Sequence, residues 1–210
     1  MGNVEVYLLD RIRLSNPQPE SAASSMAIRL EVHLEWPWHA VSLPEMWIPS
    51  YSSNWTHWWD TVFRLTLQLN RHHVPVTFYT IGEIAKESPN NLQMLLDQGH
   101  HLGSHGYFHR HHEREGDTSD FMTRQYLPEC VGYRSPFWDT TPRPGMAGGV
   151  FFRTLPYQML KREVEQQRVL YLHPHDLEPS DGGPIRRQLF FCDPWQRLER
   201  LLTEVDFERR

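Results

Sequence analysis

Cysteine is nearly absent from this chain. Cys130 and Cys192 are the only two in 210 residues. Neither belongs to a CxxC spacing, which argues against both a disulfide framework and a thiolate zinc site. No apolar run approaches the ~20 residues that cross a bilayer. Positive charge is not in excess either: 21 Lys and Arg stand against 26 Asp and Glu, for a net charge of −5. No broad basic surface is left for nucleic acid. The opening MGNVEVYLLDRIRLSNPQPESAASSM has an acid early and only the short apolar VYLL. It does not read as a secretory leader, so the expected location is cytoplasmic.

Histidine and tryptophan are abundant by contrast. Six of the 13 histidines fall between His100 and His112, in GHHLGSHGYFHRHHER, and six of the eight tryptophans lie between Trp36 and Trp59. Tryptophans bury large areas and usually build core. Trp36 and Trp38 directly follow a strand-like run, which predicts a place beside the site for those two. His100, His101, His111 and His112 are expected to be solvated.

The length suits one domain with a real core. Residues 1–25 are polar, proline-containing and aperiodic, and read as a flexible lead-in to a domain over 26–210. MAIRLEVHLEW, from Met26, reads as a strand. Trp58, Val62, Leu65 and Leu69 recur at helical spacing within 55–70. VTFYTIG (76–82) is a second strand, and Ser88-Pro89 opens a helix that Gly99 can close. HHLGSH is a strand leading into the histidine loop, and CVGYRSP (130–136) reads as another. A loop over 139–149 precedes a helix over 156–167 and the strand VLYLHP. A last helix over 193–205 opens with Asp-Pro and places Leu198, Leu201 and Leu202 on one side. No internal repeat is present. Strands alternating with helices imply a mostly parallel sheet covered by helices.

In such folds reacting groups collect at the C-terminal ends of strands. Those ends carry His33 and Glu35, then His105 with His109, then Arg134, then His173 with His175 and Asp176. Catalytic zinc takes three protein ligands and keeps a fourth position for water. Glu35, His105 and His109 supply two imidazoles and a carboxylate, and Gly106 lets the loop bend close. The second position of HGYFH is Gly, so this is not the HExxH helix of metalloproteases.

TFYTIGEIAKESPNNLQMLLDQGHHLGSHGYFHR resembles the signature of the polysaccharide deacetylases, carbohydrate esterase family four. GYRSP at 132–136 resembles the family's third motif, and LYLHPHDLEP its Leu-His-Pro motif. GGVFFRTLPYQML and FFCDPWQRLERLL look most like the subgroup of bacterial exopolysaccharide and O-antigen gene clusters. The similarity runs from about residue 27 to the end. It implies an incomplete, distorted (β/α) barrel and a metal-dependent amide hydrolase removing acetyl from an N-acetylated sugar. By position, Glu35, His105 and His109 match the metal ligands, with zinc first among nickel, cobalt and manganese. His173 matches the acid that protonates the leaving amine, and Arg134 the arginine that orients the base. Trp36, Trp38, Tyr133, Pro136 and Trp138 are the candidate substrate contacts.

Two departures from the family pattern stand out. The subgroup's first motif is V-D-V-E-D-[YW], whereas this chain reads Val32-His33-Leu34-Glu35-Trp36, which puts His33 where the general base is an aspartate. A neutral imidazole, with an ordinary pKa of ~6.5, can accept a proton, as could a carboxylate such as Asp176. His33 could instead close the metal site as a fourth ligand. The other frame makes Glu31 the base and His33 the ligand, and leaves Glu35 without a role. The second departure is length: the segments after His109 and after Pro136 are short for the family. The barrel is therefore pared down on one side, with an open groove or one covered by a second copy or a biosynthetic partner. Two functions follow as expectations: a deacylase of a surface glycan or its precursor, acting on acetyl or formyl, and a catalytically impaired relative that binds glycan or a partner enzyme.

Overall fold

The computed structural model describes residues 27–36, 55–110, 112–136, 150–152, 155–177 and 193–209. The expectations for the lead-in 1–25, for Trp38, Trp138 and His111, and for the loop 139–149 lie outside them.

Five strands, β1 (Arg29–Leu34), β2 (Thr77–Thr80), β3 (His101–Ser104), β4 (Val150–Phe151) and β5 (Val169–Leu172), form one sheet in the order β3-β2-β1-β5-β4. Every pairing in it is parallel. Among the described residues the two edges do not meet, so the sheet is an open, incomplete barrel, as expected. The helices are α1 (Trp55–Arg71), α2 (Gly82–Glu87), α3 (Pro89–Asp97), α4 (Thr118–Arg124), α5 (Tyr157–Gln167) and α6 (Pro194–Glu204). None is long and apolar enough to cross a membrane.

Successive side chains of a strand point to opposite faces, and β1 uses this to separate core from chemistry. Leu30, Val32 and Leu34 belong to the hydrophobic core. On the other face lie Glu31, His33 and, just past the strand, Glu35, all buried. The expected face of α1 is in the core: Trp58, Val62, Leu65 and Leu69 are at most 3% exposed. Pro89 occupies the first turn of α3, and Gly99, at φ +76°, follows its end in the left-handed conformation that glycine adopts without strain. Asp193 caps α6 by accepting from Trp195 N–H at 2.7 Å, and Leu198, Leu201 and Leu202 are fully buried.

Some expectations need correction. Residues 130–136 do not form a full strand: they run beside β3 and meet it in one parallel bridge, Ser104–Tyr133. Pro128 and Pro136 flank the run, and each lacks an N–H to extend a ladder. Three hydrogen bonds hold it: Val131 N–H to Leu102 O, Ser104 N–H to Gly132 O, and Arg134 N–H to Ser104 O, at 2.8–2.9 Å. The short helices α2 and α4 were not anticipated. His100 is not solvated but 2% exposed, its ring edge-on to Phe78; His101 and His112 are exposed. Trp36 does not wall the site. It is 3% exposed and packs on Trp58 at 4.9 Å, leaving no face for a sugar.

Candidate active site

Glu35, at the end of β1, is the centre of the site. Its two carboxylate oxygens serve different histidines. Oε2 is in short contact with His109 Nε2 and lies 3.7 Å from His105 Nε2. Oε1 lies 3.3 Å from His173 Nε2. Burial is the largest influence on this carboxyl and would raise its pKa, but His173, His105 and His109 together overcome it and hold the group well below the usual carboxylate range. Glu35 is therefore an anion with imidazoles on both sides.

The backbone fixes each imidazole. His105 Nδ1 is 2.7 Å from the carbonyl of Arg134. A carbonyl can only accept, so Nδ1 carries the proton and Nε2 is the lone-pair atom facing Glu35. Behind His173, Asp176 Oδ2 accepts from its backbone N–H at 2.7 Å and contacts its Nδ1 at 3.2 Å. Asp176 therefore sits on the far nitrogen of His173 and orients that ring. This corrects its candidacy as the base that takes a proton from water, because its carboxylate is committed behind the ring.

His109 reaches Glu35 from a loop with unusual backbone. His109 has φ +55° and Gly106 φ +75°, and a Cβ on Gly106 would lie 2.1 Å from Glu113 Oε2. Glu113 uses that space to bind the loop, accepting from Phe108 N–H at 2.9 Å and Arg110 N–H at 3.1 Å. From α4, Ser119 Oγ accepts from Tyr107 N–H at 2.6 Å, and Thr123 Oγ1 donates to Gly106 O at 2.9 Å. Glu113 and α4 were missed in the sequence. Their only signal was an acid four residues after His109, which in sequence resembles any surface glutamate.

His33 lies beneath this group. Its ring stacks on Tyr171 at 5.3 Å and meets His105 at 4.5 Å and His173 at 5.3 Å. Burial, then the neighbouring His105 and His173, push its pKa well below the ordinary value. It is a neutral imidazole at pH 7. Burial likewise lowers the pKa of His105, partly offset by Glu35. Arg134 does not pair with Glu35: its guanidinium forms a buried ion pair with Glu31. Tyr133 and Pro136 lie on the same run as Arg134. Burial, followed by the charges of Asp117, Glu113 and Asp120, raises the Tyr133 hydroxyl well above its ordinary pKa, and Pro136 is buried.

The divalent metal that the sequence resemblance implies can be tested against these residues. Donor atoms of Glu35, His105 and His109 all lie within 4.8 Å of one another, and so do those of Glu35, His173 and His175. Ligands bound at about 2.0–2.2 Å to a tetrahedral ion lie about 3.3–3.6 Å apart, close to the 3.7 Å between Glu35 and His105 and the 3.3 Å between Glu35 and His173, whereas Glu35 and His109 are in direct contact and would have to part to admit an ion. His105 Nε2 is buried without a hydrogen-bond partner. A carboxylate and imidazoles, with their outer nitrogens anchored, suit a divalent cation. The fit is good. His33 contributes no atom to either donor group.

Comparison with known proteins finds relatives that match part of the chain. Residues 53–129 match the family described as polysaccharide deacetylase. The peptidoglycan-N-acetylglucosamine deacetylase of Bacillus cereus is 31% identical over 74 residues, which are 33% of this chain and 27% of that protein. The peptidoglycan deacetylase of Helicobacter pylori is 21% identical over 153 residues, 69% of this chain and 45% of that one. The chain thus spans less than half of either relative. Among solved structures, a Mycobacterium smegmatis protein assigned to the polysaccharide deacetylases superposes with a TM-score of 0.52 at 16% identity, covering 90% of this chain and 87% of that one. A wild-type family 4 pseudoenzyme from Bacillus anthracis does so with a TM-score of 0.50 at 14% identity, covering 85% and 59%. These two show a shared fold.

Proposed function

We propose that this chain, a member of the polysaccharide deacetylase family, is a divalent-metal hydrolase that cleaves the amide of an N-acylated sugar in a bacterial surface polysaccharide or its precursor. The observation that carries the reading is the donor group of Glu35, His105 and His109 with His173 on the opposite oxygen of Glu35. Zinc is the cation of choice. When bound, it supplies a Lewis acid that polarises the acyl carbonyl and the attacking water.

The chain's own residues do the rest. His33, neutral and in ring contact with His105 and His173, accepts the water's proton. Glu31 is tied to Arg134, which favours His33 over Glu31 as base, and His33 is outside both donor groups, which favours base over ligand. Arg134 fixes the floor and, through its carbonyl, the tautomer of His105. His173, oriented by Asp176, donates a proton from Nε2 to the leaving nitrogen. The amide C–N bond breaks, and acetate (or formate) and a free amino sugar leave. Tyr133 and Pro136 are proposed to shape the pocket beside Arg134. A second copy or a biosynthetic partner over the open sheet edge is proposed on the same footing, as is a cytoplasmic location.

The test is element analysis of purified protein joined to acetate and formate release from N-acylated sugars. Bound metal and release that His105→Ala abolishes support the reading; a metal-free wild type, or release unchanged by His105→Ala, sinks it. A second reading, a relative that has lost catalysis and binds glycan or a partner, rests on one observation: His33 in the aspartate position. A pseudoenzyme exists on this fold. A gain of activity in His33→Asp over wild type would select the second reading.

A further inference from the structure

His175 has no part in the reaction described above, yet it is buried beside the acid. It is 5% exposed, and its ring stacks on that of His173 with centroids 4.8 Å apart and planes 15° apart. His173 caps the 3-10 turn Pro174–Asp176, and His175 lies within that turn. Donor atoms of Glu35, His173 and His175 lie within 4.8 Å of one another, and His173 Nε2 stands 3.3 Å from Glu35 Oε1. That distance is the edge expected of a tetrahedral ligand set with bonds of about 2.0–2.1 Å. The opposite nitrogen of His173 contacts the Asp176 carboxylate at 3.2 Å, the outer-shell arrangement that fixes a histidine for metal binding.

Glu35 turns Oε2 to His105 and His109 and Oε1 to His173. We infer that Glu35, His173 and His175 form a second divalent-cation site, bridged to the first through the Glu35 carboxylate, and that filling it inhibits hydrolysis. Coordination occupies the Nε2 lone pair of His173, and that atom then has no proton to give the leaving nitrogen. The site itself stands on the donor geometry, while its inhibitory effect rests on the proposed hydrolase reading. The same cation acts twice: the first equivalent completes the site, and the second removes its acid.

Equilibrium dialysis of the full chain against zinc, read by element analysis, tests the site without reference to activity. Wild type is expected to take up two equivalents, and His175→Phe, which keeps a stacked ring without a donor, one. His175→Gln serves as a second variant should the phenylalanine fail to fold. With manganese, the doubly loaded wild type is expected to show spin coupling between the two ions by EPR, absent in either variant. In acetate release, wild-type rate rises over the first equivalent and falls over the second by about 10²-fold, the lower range of a positioned acid's contribution, whereas the His175 variants rise without falling. One equivalent in saturated wild type, or two in both wild type and a folded His175 variant, overturns the second site. Two equivalents without a fall in rate overturn the inhibition. No release at any loading overturns the hydrolase reading and leaves the stoichiometry to decide the site.

Discussion

Glu31 and Arg134, 103 residues apart in sequence, form a buried ion pair at the foot of the candidate site. Their side chains are 3% and 12% exposed. Arg134 joins three parts of the molecule: its guanidinium holds β1, its N–H donates to Ser104 on β3, and its carbonyl accepts from His105. Glu31→Ala leaves the guanidinium buried without its counter-charge, which costs about 3–5 kcal/mol. Thermal unfolding is expected to shift down by roughly 6–20 °C on the usual 2–4 °C per kcal/mol for a domain of this size. Adding Arg134→Met, which removes the stranded charge, recovers most of the loss. A shift under a degree would show that the pair contributes nothing.

His33 separates the roles of base and ligand. Its ring lies outside both donor groups, so His33→Ala is expected to keep the metal content of wild type while acetate release falls by about 10²–10⁴-fold, the contribution of a positioned base. Loss of metal together with activity would instead make His33 a ligand.

The buried imidazoles set a pH dependence in the metal-free protein. Burial, the largest cause in both, holds the pKa of His33 and His105 below the ordinary value in the native state. The unfolded chain binds protons at these two positions near pH 6.5 and the native chain does not, so stability rises with pH there. It is complete above about 6.5 and falls toward the lower native pKa values, by up to about 1.4 kcal/mol per pH unit for each imidazole. Glu35 is ionised throughout this window and adds no slope. Urea titrations of chelator-treated protein between pH 7.5 and 5.5 check this. A flat profile would contradict it.

The loop that presents His109 is held by an acid occupying the space of a missing side chain. Gly106→Ala strains a backbone at φ +75° and drives a methyl into Glu113, displacing the carboxylate that accepts from Phe108 and Arg110. Metal affinity, measured by competition with a chelator, is expected to drop by about 10–100-fold, as for other losses of outer-shell support. Glu113→Gln, which keeps the shape but not the charge, should lose less. Unchanged affinity in both variants would free the loop of any role in binding.

The architecture was legible where periodicity was strong. Trp58, Val62, Leu65 and Leu69 announced α1, Ser88-Pro89 announced α3, and the strand ends collected the site. Partner choice was not legible. Nothing in RLEVHLEW says that Glu31 belongs to Arg134, Glu35 to the histidines and His33 to neither donor group, because that division depends on which strands lie beside β1. Trp36 misled for a related reason: the residue after Glu35 turns back to the core side and packs on α1. The short helix α4 has too few turns for a visible apolar period, so the support of the histidine loop stayed hidden with it. His100 shows the limit of composition, since a histidine in a polar run can still fill a slot against Phe78.

The most direct test of the metal-dependent deacylase is to strip the protein with a chelator and return zinc in small steps while following acetate release from an N-acetylglucosamine oligomer. Release should be absent from the stripped protein and reach its maximum at one equivalent in wild type, and it should stay absent in His105→Ala. Release that survives stripping, or a wild type that loads zinc and frees no acyl group from any N-acylated sugar tried, would contradict the account.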